Sequence, residues 1–163
     1  MRTTWKPFSS KTKQLTFLLA LTFLFLFSGS VFGQEEVNGG DETVRSYSKS
    51  GKLVTEIHYK DWKQEGLNTR WHENGKKMFK IHYKNDKKDG LYKQWYENGR
   101  KEYLKHYKND VLDGMVAEWY PSGKKKSTSH YKNGIENGFR KEWDEDGQLI
   151  FQGNFVDGNE EIK

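Results

Sequence analysis

With 163 residues, no cysteine, 33% hydrophobic and 31% charged side chains, the chain is lean in apolar residues for an ordinary two-layer domain and has neither disulfides nor thiolate chemistry. Its formal charge of +5 points towards a polyanion or a membrane, but Arg2, Lys6, Lys11 and Lys13 lie within the first 33 residues, where no Asp or Glu occurs. Beyond them 24 basic residues face 23 acidic ones, so net charge gives no reason to expect nucleic acid, and a polyanion partner is set aside.

The chain opens with those four basic residues, then the apolar run LTFLLALTFLFLF at 15–27, then the small and turn-prone SGSVFGQEE. This is the order of a secretory signal peptide, expected over residues 1–33 with cleavage before Gln34, and Ser28 and Ser30 offering a second site. Thirteen strongly apolar residues fall short of the roughly 20 that span a bilayer, so no membrane contact is expected after cleavage. Residues 34–41 read as a short flexible segment. An exported, cysteine-free chain fits a bacterial periplasm or exterior.

Over residues 42–161, five units of 24 residues follow without gaps. Units two to five begin at Gly66, Gly90, Gly114 and Gly138; the first is degenerate, with Tyr47 where the others place Trp71, Trp95, Trp119 and Trp143. Each unit holds two turn signals. Gly75, Gly99, Gly123 and Gly147 close the first, and Asp86, Asp110, Gly134 and Gly158 close the second, with Trp62 in the equivalent place of unit one. The stretches between turns suit strands, and the expected fold is all-β: a repetitive single-layer antiparallel meander over residues 42–162.

If both turns are three-residue loops, cross-strand partners share parity and one face carries the odd-numbered aromatics. That reading places Trp71, Tyr83, Trp95, Tyr107, Trp119, Tyr131 and Trp143 on one partner-binding or structural face. It also sets Gly66 opposite His82, Gly90 opposite His106, Gly114 opposite His130, and Asp113 opposite Lys105 as an ion pair. The histidines then cover strand glycines. As metal ligands they fail, because successive copies stand roughly 10 Å apart at about 4.8 Å per strand, while each zinc ligand lies about 2 Å from its ion.

Units of the form Gly, apolar, three variable residues, Trp, aromatic, x-Asn-Gly-Lys, then Tyr-Lys-Asn-Gly or Asp resemble the MORN-repeat variant of bacterial proteins. WYENGRKEYLKHYKNDVLDG at 95–114 is the sharpest instance. Members of this family are often labelled YwqK-like antitoxins. The resemblance implies a curved single-layer sheet used for association, with no enzymatic activity and no cofactor. It carries over only frame positions: the unit-start glycines, the tryptophans and the turn glycines. An antitoxin against a cytoplasmic toxin should not carry an export signal, so the scaffold role is what the resemblance implies here.

Three functions compete. A lone sheet leaves an apolar face that a second copy or a protein partner would cover, which makes an exported scaffold for protein association the first expectation. The alternative is a cell-wall or carbohydrate-binding module using the Trp and Tyr face. An enzyme lacks support: the carboxylates fall beside turns at repeat positions, and no nucleophile, metal or phosphate motif occurs. Lys124, Lys125 and Lys126 read as a solvated strand start.

Overall fold

The computed structural model describes residues 32–36 and 41–162, and the signal-peptide expectation falls, except for Phe32 and Gly33, outside them. Strand follows strand throughout: β1 (Phe32–Glu36), β2 (Asp41–Tyr47), β3 (Leu53–Lys60), β4 (Lys63–Gln64), β5 (Gly66–Trp71), β6 (Lys77–Lys84), β7 (Lys87–Lys88) and β8 (Gly90–Trp95). Then come β9 (Lys101–Lys108), β10 (Val111–Trp119), β11 (Lys125–Lys132), β12 (Ile135–Glu136), β13 (Gly138–Trp143), β14 (Leu149–Val156) and β15 (Asn159–Glu160). They form one all-antiparallel sheet of 15 strands with no helix among the described residues. The meander is as expected. Residues 34–36, read as part of a flexible segment, instead pair in β1 with Arg45, Val44 and Thr43 of β2.

The two turns of each unit differ. Between β8 and β9, Tyr96 N–H donates to Arg100 O (2.9 Å) and Gly99 N–H to Tyr96 O (2.8 Å), closing the three-residue loop Glu97-Asn98-Gly99 with Gly99 at φ +88°. That is the expected loop, a type I turn followed by a left-handed residue. The second turn is tighter. Lys108 pairs with Val111, and between them Asn109 and Asp110 take φ +50° and +69°. Two successive left-handed residues make the mirror-image two-residue turn, for which Asn-Asp and Asn-Gly are suited. Asp61 and Trp62 adopt the same conformation in unit one, at φ +48° and +67°.

These turns overturn the parity argument. After the three-residue loop, the register slips by one at a bulge: Trp95 pairs with Lys101, but Gln94 pairs with Tyr103. The two-residue turn likewise joins residues of opposite parity. Beyond each bulge, as from each two-residue turn, odd residues therefore pair with even ones, and the aromatic set divides between the two faces.

Two rows of direct partners define those faces. One runs Ser46, Thr55, Arg70, Phe79, Gln94, Tyr103, Glu118, Ser127, Glu142, Phe151. The other runs Arg45, Glu56, Thr69, Lys80, Lys93, Leu104, Ala117, Thr128, Lys141, Gln152. A single layer buries little: among the described residues Val44, Ile81 and Ala117 are the buried apolar residues, joined by Ser46, Asn68, Thr69 and Ser129, and no large side chain is fully buried.

Candidate binding faces of the sheet

Alternation along each strand places the named residues. Tyr83, Tyr107 and Tyr131 pair with Gly66, Gly90 and Gly114 and share the face of Phe79, Tyr92 and Tyr103. Trp71, Trp95, Trp119 and Trp143 each follow a residue of that row and point the other way, with Leu67, Leu91, Met115 and Phe139. The one odd-numbered face of the sequence reading is thus corrected to a tyrosine face and a tryptophan face; the bulge beside each tryptophan and the two-residue turn are the cause.

On the tyrosine face, rings and charges are knitted together. Phe79 stacks on Tyr92 at 6.0 Å between centroids, and Tyr92 meets Tyr107 edge-on at 6.4 Å. Lys105 lies 4.3 Å from the Tyr103 ring centre, and Arg140 approaches the rings of Phe151 and Phe155 at 5.7 and 5.9 Å. Tyr103 O–H donates to Glu118 Oε1 (3.0 Å), which also accepts from Lys126 Nζ (2.8 Å). Tyr92 donates to Gln94, and Arg140 pairs with Glu142. Burial pushes the Tyr92 hydroxyl up to about 12, helped by Tyr107 and Glu102, and burial raises Tyr59, Tyr83 and Tyr107 as well. These charged groups are partnered within the sheet.

The histidines pack on glycines, but on different ones from those expected. His82 faces Leu91's counterpart Leu67, while its Cβ lies 3.3 Å from where a side chain on Gly90 would begin. His58, His106 and His130 stand the same way against Gly66, Gly114 and Gly138, at 3.9, 3.1 and 3.2 Å. His58, His106 and His130 place Nδ1 at 2.6, 3.0 and 3.3 Å from the carbonyls of Leu67, Met115 and Phe139. Among the described residues no group of three His, Asp or Glu is placed to hold a metal ion.

The motif residues between the faces bind one unit to the next. Asn74 and Asn98 donate to Glu97 O and Pro121 O at 2.8 and 3.0 Å, and Lys76 and Lys124 reach Asn98 O and Asp146 O at 2.8 and 3.1 Å. Tyr96 and Tyr120 donate to the carbonyls of Trp119 and Trp143, at 2.8 and 2.9 Å. At the opposite edge, Asp86 and Asp110 accept from the backbone of Gln64 and Lys88 at 2.7 and 2.8 Å. Asp89 and Asp113 accept from Asn109 and Asn133 at 3.3 and 3.1 Å. Asp113 therefore does not face Lys105, whose partners are Tyr92 and Val116. A depression of about 650 Å³ at this edge is lined by Asp89, His106, Tyr107 and Asp113 among others, but its carboxylates are held by backbone N–H groups. The frame glycines Gly66, Gly75, Gly90, Gly99, Gly114, Gly123, Gly138 and Gly147 all have positive φ, from +83° to +118°.

Comparison with known proteins bears on the repeat alone. No curated protein matches the chain. Among solved structures, a point mutant of S. aureus TarM in complex with Fondaparinux, alpha-GlcNAc-glycerol and UDP is 11% identical, with a TM-score of 0.42 over 74% of this chain and 23% of that one. A second TarM structure is 13% identical, with a TM-score of 0.40 over 72% and 24%. The chain thus spans about a quarter of the TarM structures it matches. The MORN repeat variant matches residues 43–61, 64–85, 88–109, 112–133 and 136–157, one stretch for each unit. Five phased matches on a sheet whose motif residues join unit to unit establish that the chain belongs to the MORN repeat variant family.

Proposed function

We propose that this protein is an exported, non-enzymatic repeat scaffold that associates with a protein partner or a second copy of itself. The observation that carries the reading is the apolar surface of the last unit. Phe139 and Leu149 are 60% and 51% exposed, whereas Leu67 and Leu91, which hold the Phe139 position in earlier units, are half-buried. Phe139 and Leu149 share the tryptophan face, Leu149 in register with Trp143, and large apolar side chains left in water on one face favour association. The absence of enzymatic activity is supported by how the polar residues are used: the turn carboxylates and amides hold neighbouring units together, and the carboxylates of the tyrosine face are tied to cations.

Sedimentation of the full chain, together with affinity capture from an envelope extract, tests the proposal. The expected result is a dimer, or one stoichiometric partner, lost in a Phe139→Ser/Leu149→Ser variant whose circular dichroism is unchanged. A monomer that retains nothing, or a complex indifferent to the substitutions, would refute it.

A further inference from the structure

The repeat region is almost neutral overall, but folding sorts its charges. On the tyrosine face Glu118 and Glu142 meet Lys126 and Arg140, and the turn carboxylates accept backbone N–H groups. On the tryptophan face lysine stands directly opposite lysine: Lys80 beside Lys93, Lys60 beside Lys63, Lys84 beside Lys87. Among the described residues none of these six takes part in an ion pair. Like charges directly opposite one another oppose sheet formation; Asp41 stands opposite Lys60 on its other side, but Lys80 and Lys93 have Thr69 and Leu104 as their other partners, so counter-charges from outside would relieve that pair. Lys108 and Lys132, in the register of Lys84, extend the same edge row through the next two units. Neighbouring units lie roughly 10 Å apart, so the rows run across the strands along the length of the sheet.

We propose that the tryptophan face binds a linear acidic polysaccharide, whose carboxylates or sulfates neutralise these lysine rows. Three features select this class. The cations of these rows are lysines at the repeat spacing, point charges that suit anionic groups spaced along a chain, while Arg45 on this face is held by Glu56 at 2.8 Å. Two of the four repeat indoles are already covered, since Lys101 lies over Trp119 at 5.6 Å and Lys125 over Trp143 at 5.5 Å. Single-stranded nucleic acid and neutral glycans, which rely on ring stacking, lose that contribution at those two rings. Adjacent strands turn by roughly 20–25°, so a planar bilayer would meet only part of a row that a flexible polymer can follow. The inference does not depend on the scaffold reading, whose exposed apolar side chains lie in the last unit.

The test is fluorescence anisotropy of the full chain with a labelled oligouronate and a labelled sulfated oligosaccharide, at low and physiological salt. The parent should bind at least one of them, more weakly as salt rises. A Lys80→Gln/Lys93→Gln variant should bind about tenfold more weakly while melting no lower than the parent, because a repulsive pair has been removed. Lys88→Gln/Lys105→Gln, on the tyrosine face, removes the same charge and should keep the parent affinity; if that double variant does not fold, Lys88→Gln alone replaces it. Three results would overturn the proposal: equal loss in both variants, no binding at physiological salt, or tighter binding to single-stranded DNA or anionic vesicles than to either oligosaccharide.

Discussion

The Cβ of His106 occupies the space into which a side chain on Gly114 would grow: the two positions are 3.1 Å apart, and Gly114 holds φ +117°. A methyl group there meets both a steric and a conformational obstacle. Gly114→Ala should cost about 1–3 kcal/mol, measured by urea unfolding. Gly66→Ala should cost less, because its nearest neighbour, His58 Cβ, is 3.9 Å away and φ is +91°. Equal losses at the two sites would show that backbone strain alone sets the requirement for glycine.

Trp62 sits in a tight turn at φ +67°, a conformation in which units two and three place Asp86 and Asp110 and units four and five place Gly134 and Gly158. A bulky residue there carries left-handed strain. Trp62→Gly should therefore stabilise the first unit, by up to about 1 kcal/mol, read as a higher denaturation midpoint. A lower midpoint would mean that contacts of the indole outweigh the strain.

Alkaline titration should weaken the fold through the tyrosine face. The Tyr92 hydroxyl is raised to about 12 by burial and by its neighbours Tyr107 and Glu102, while an unfolded tyrosine titrates near its ordinary value of 10. Between these values the folded state holds more protons than the unfolded one, so stability is complete below pH 10 and falls as pH rises towards 12. Tyr92→Phe should make that decline shallower, as followed by thermal melting at stepped pH. An unchanged decline would assign it to Tyr59, Tyr83 and Tyr107, which are raised in the same direction.

Trp95→Ala should destabilise the sheet by about 3 kcal/mol, since the indole is half-buried at the bulge where Trp95 pairs with Lys101. Urea unfolding measures it. A loss below 1 kcal/mol would make the tryptophan a surface contact and not a packing residue.

The unit length, the turn positions and the all-β meander were legible because glycine, Asn-Gly and Asn-Asp recur in phase. The division of aromatics was not. It depends on the bulge at Glu102, where neither glycine nor proline marks an irregularity, and on Asn109-Asp110 closing a two-residue turn that was read as three. The histidine-on-glycine packing was correct in kind but displaced to the next glycine along the chain by the same register error. The lysine pairs were invisible for a different reason: Lys80 and Lys93 are 13 positions apart in the sequence, and only the register brings them face to face. Summing charge along the chain cancels what the sheet separates.

The bonds from Asn98 to Pro121 and from Tyr96 to Trp119 both span 23 residues, and equivalent bonds recur one unit earlier or later. Each unit thus completes the polar needs of its neighbour, and stability accumulates by adjacency, as in other linear arrays. Length is consequently a separate variable from fold. Excising or duplicating one whole 24-residue period would keep the handholds between units in phase, whereas an insertion of any other size would put donors and acceptors out of phase where it falls.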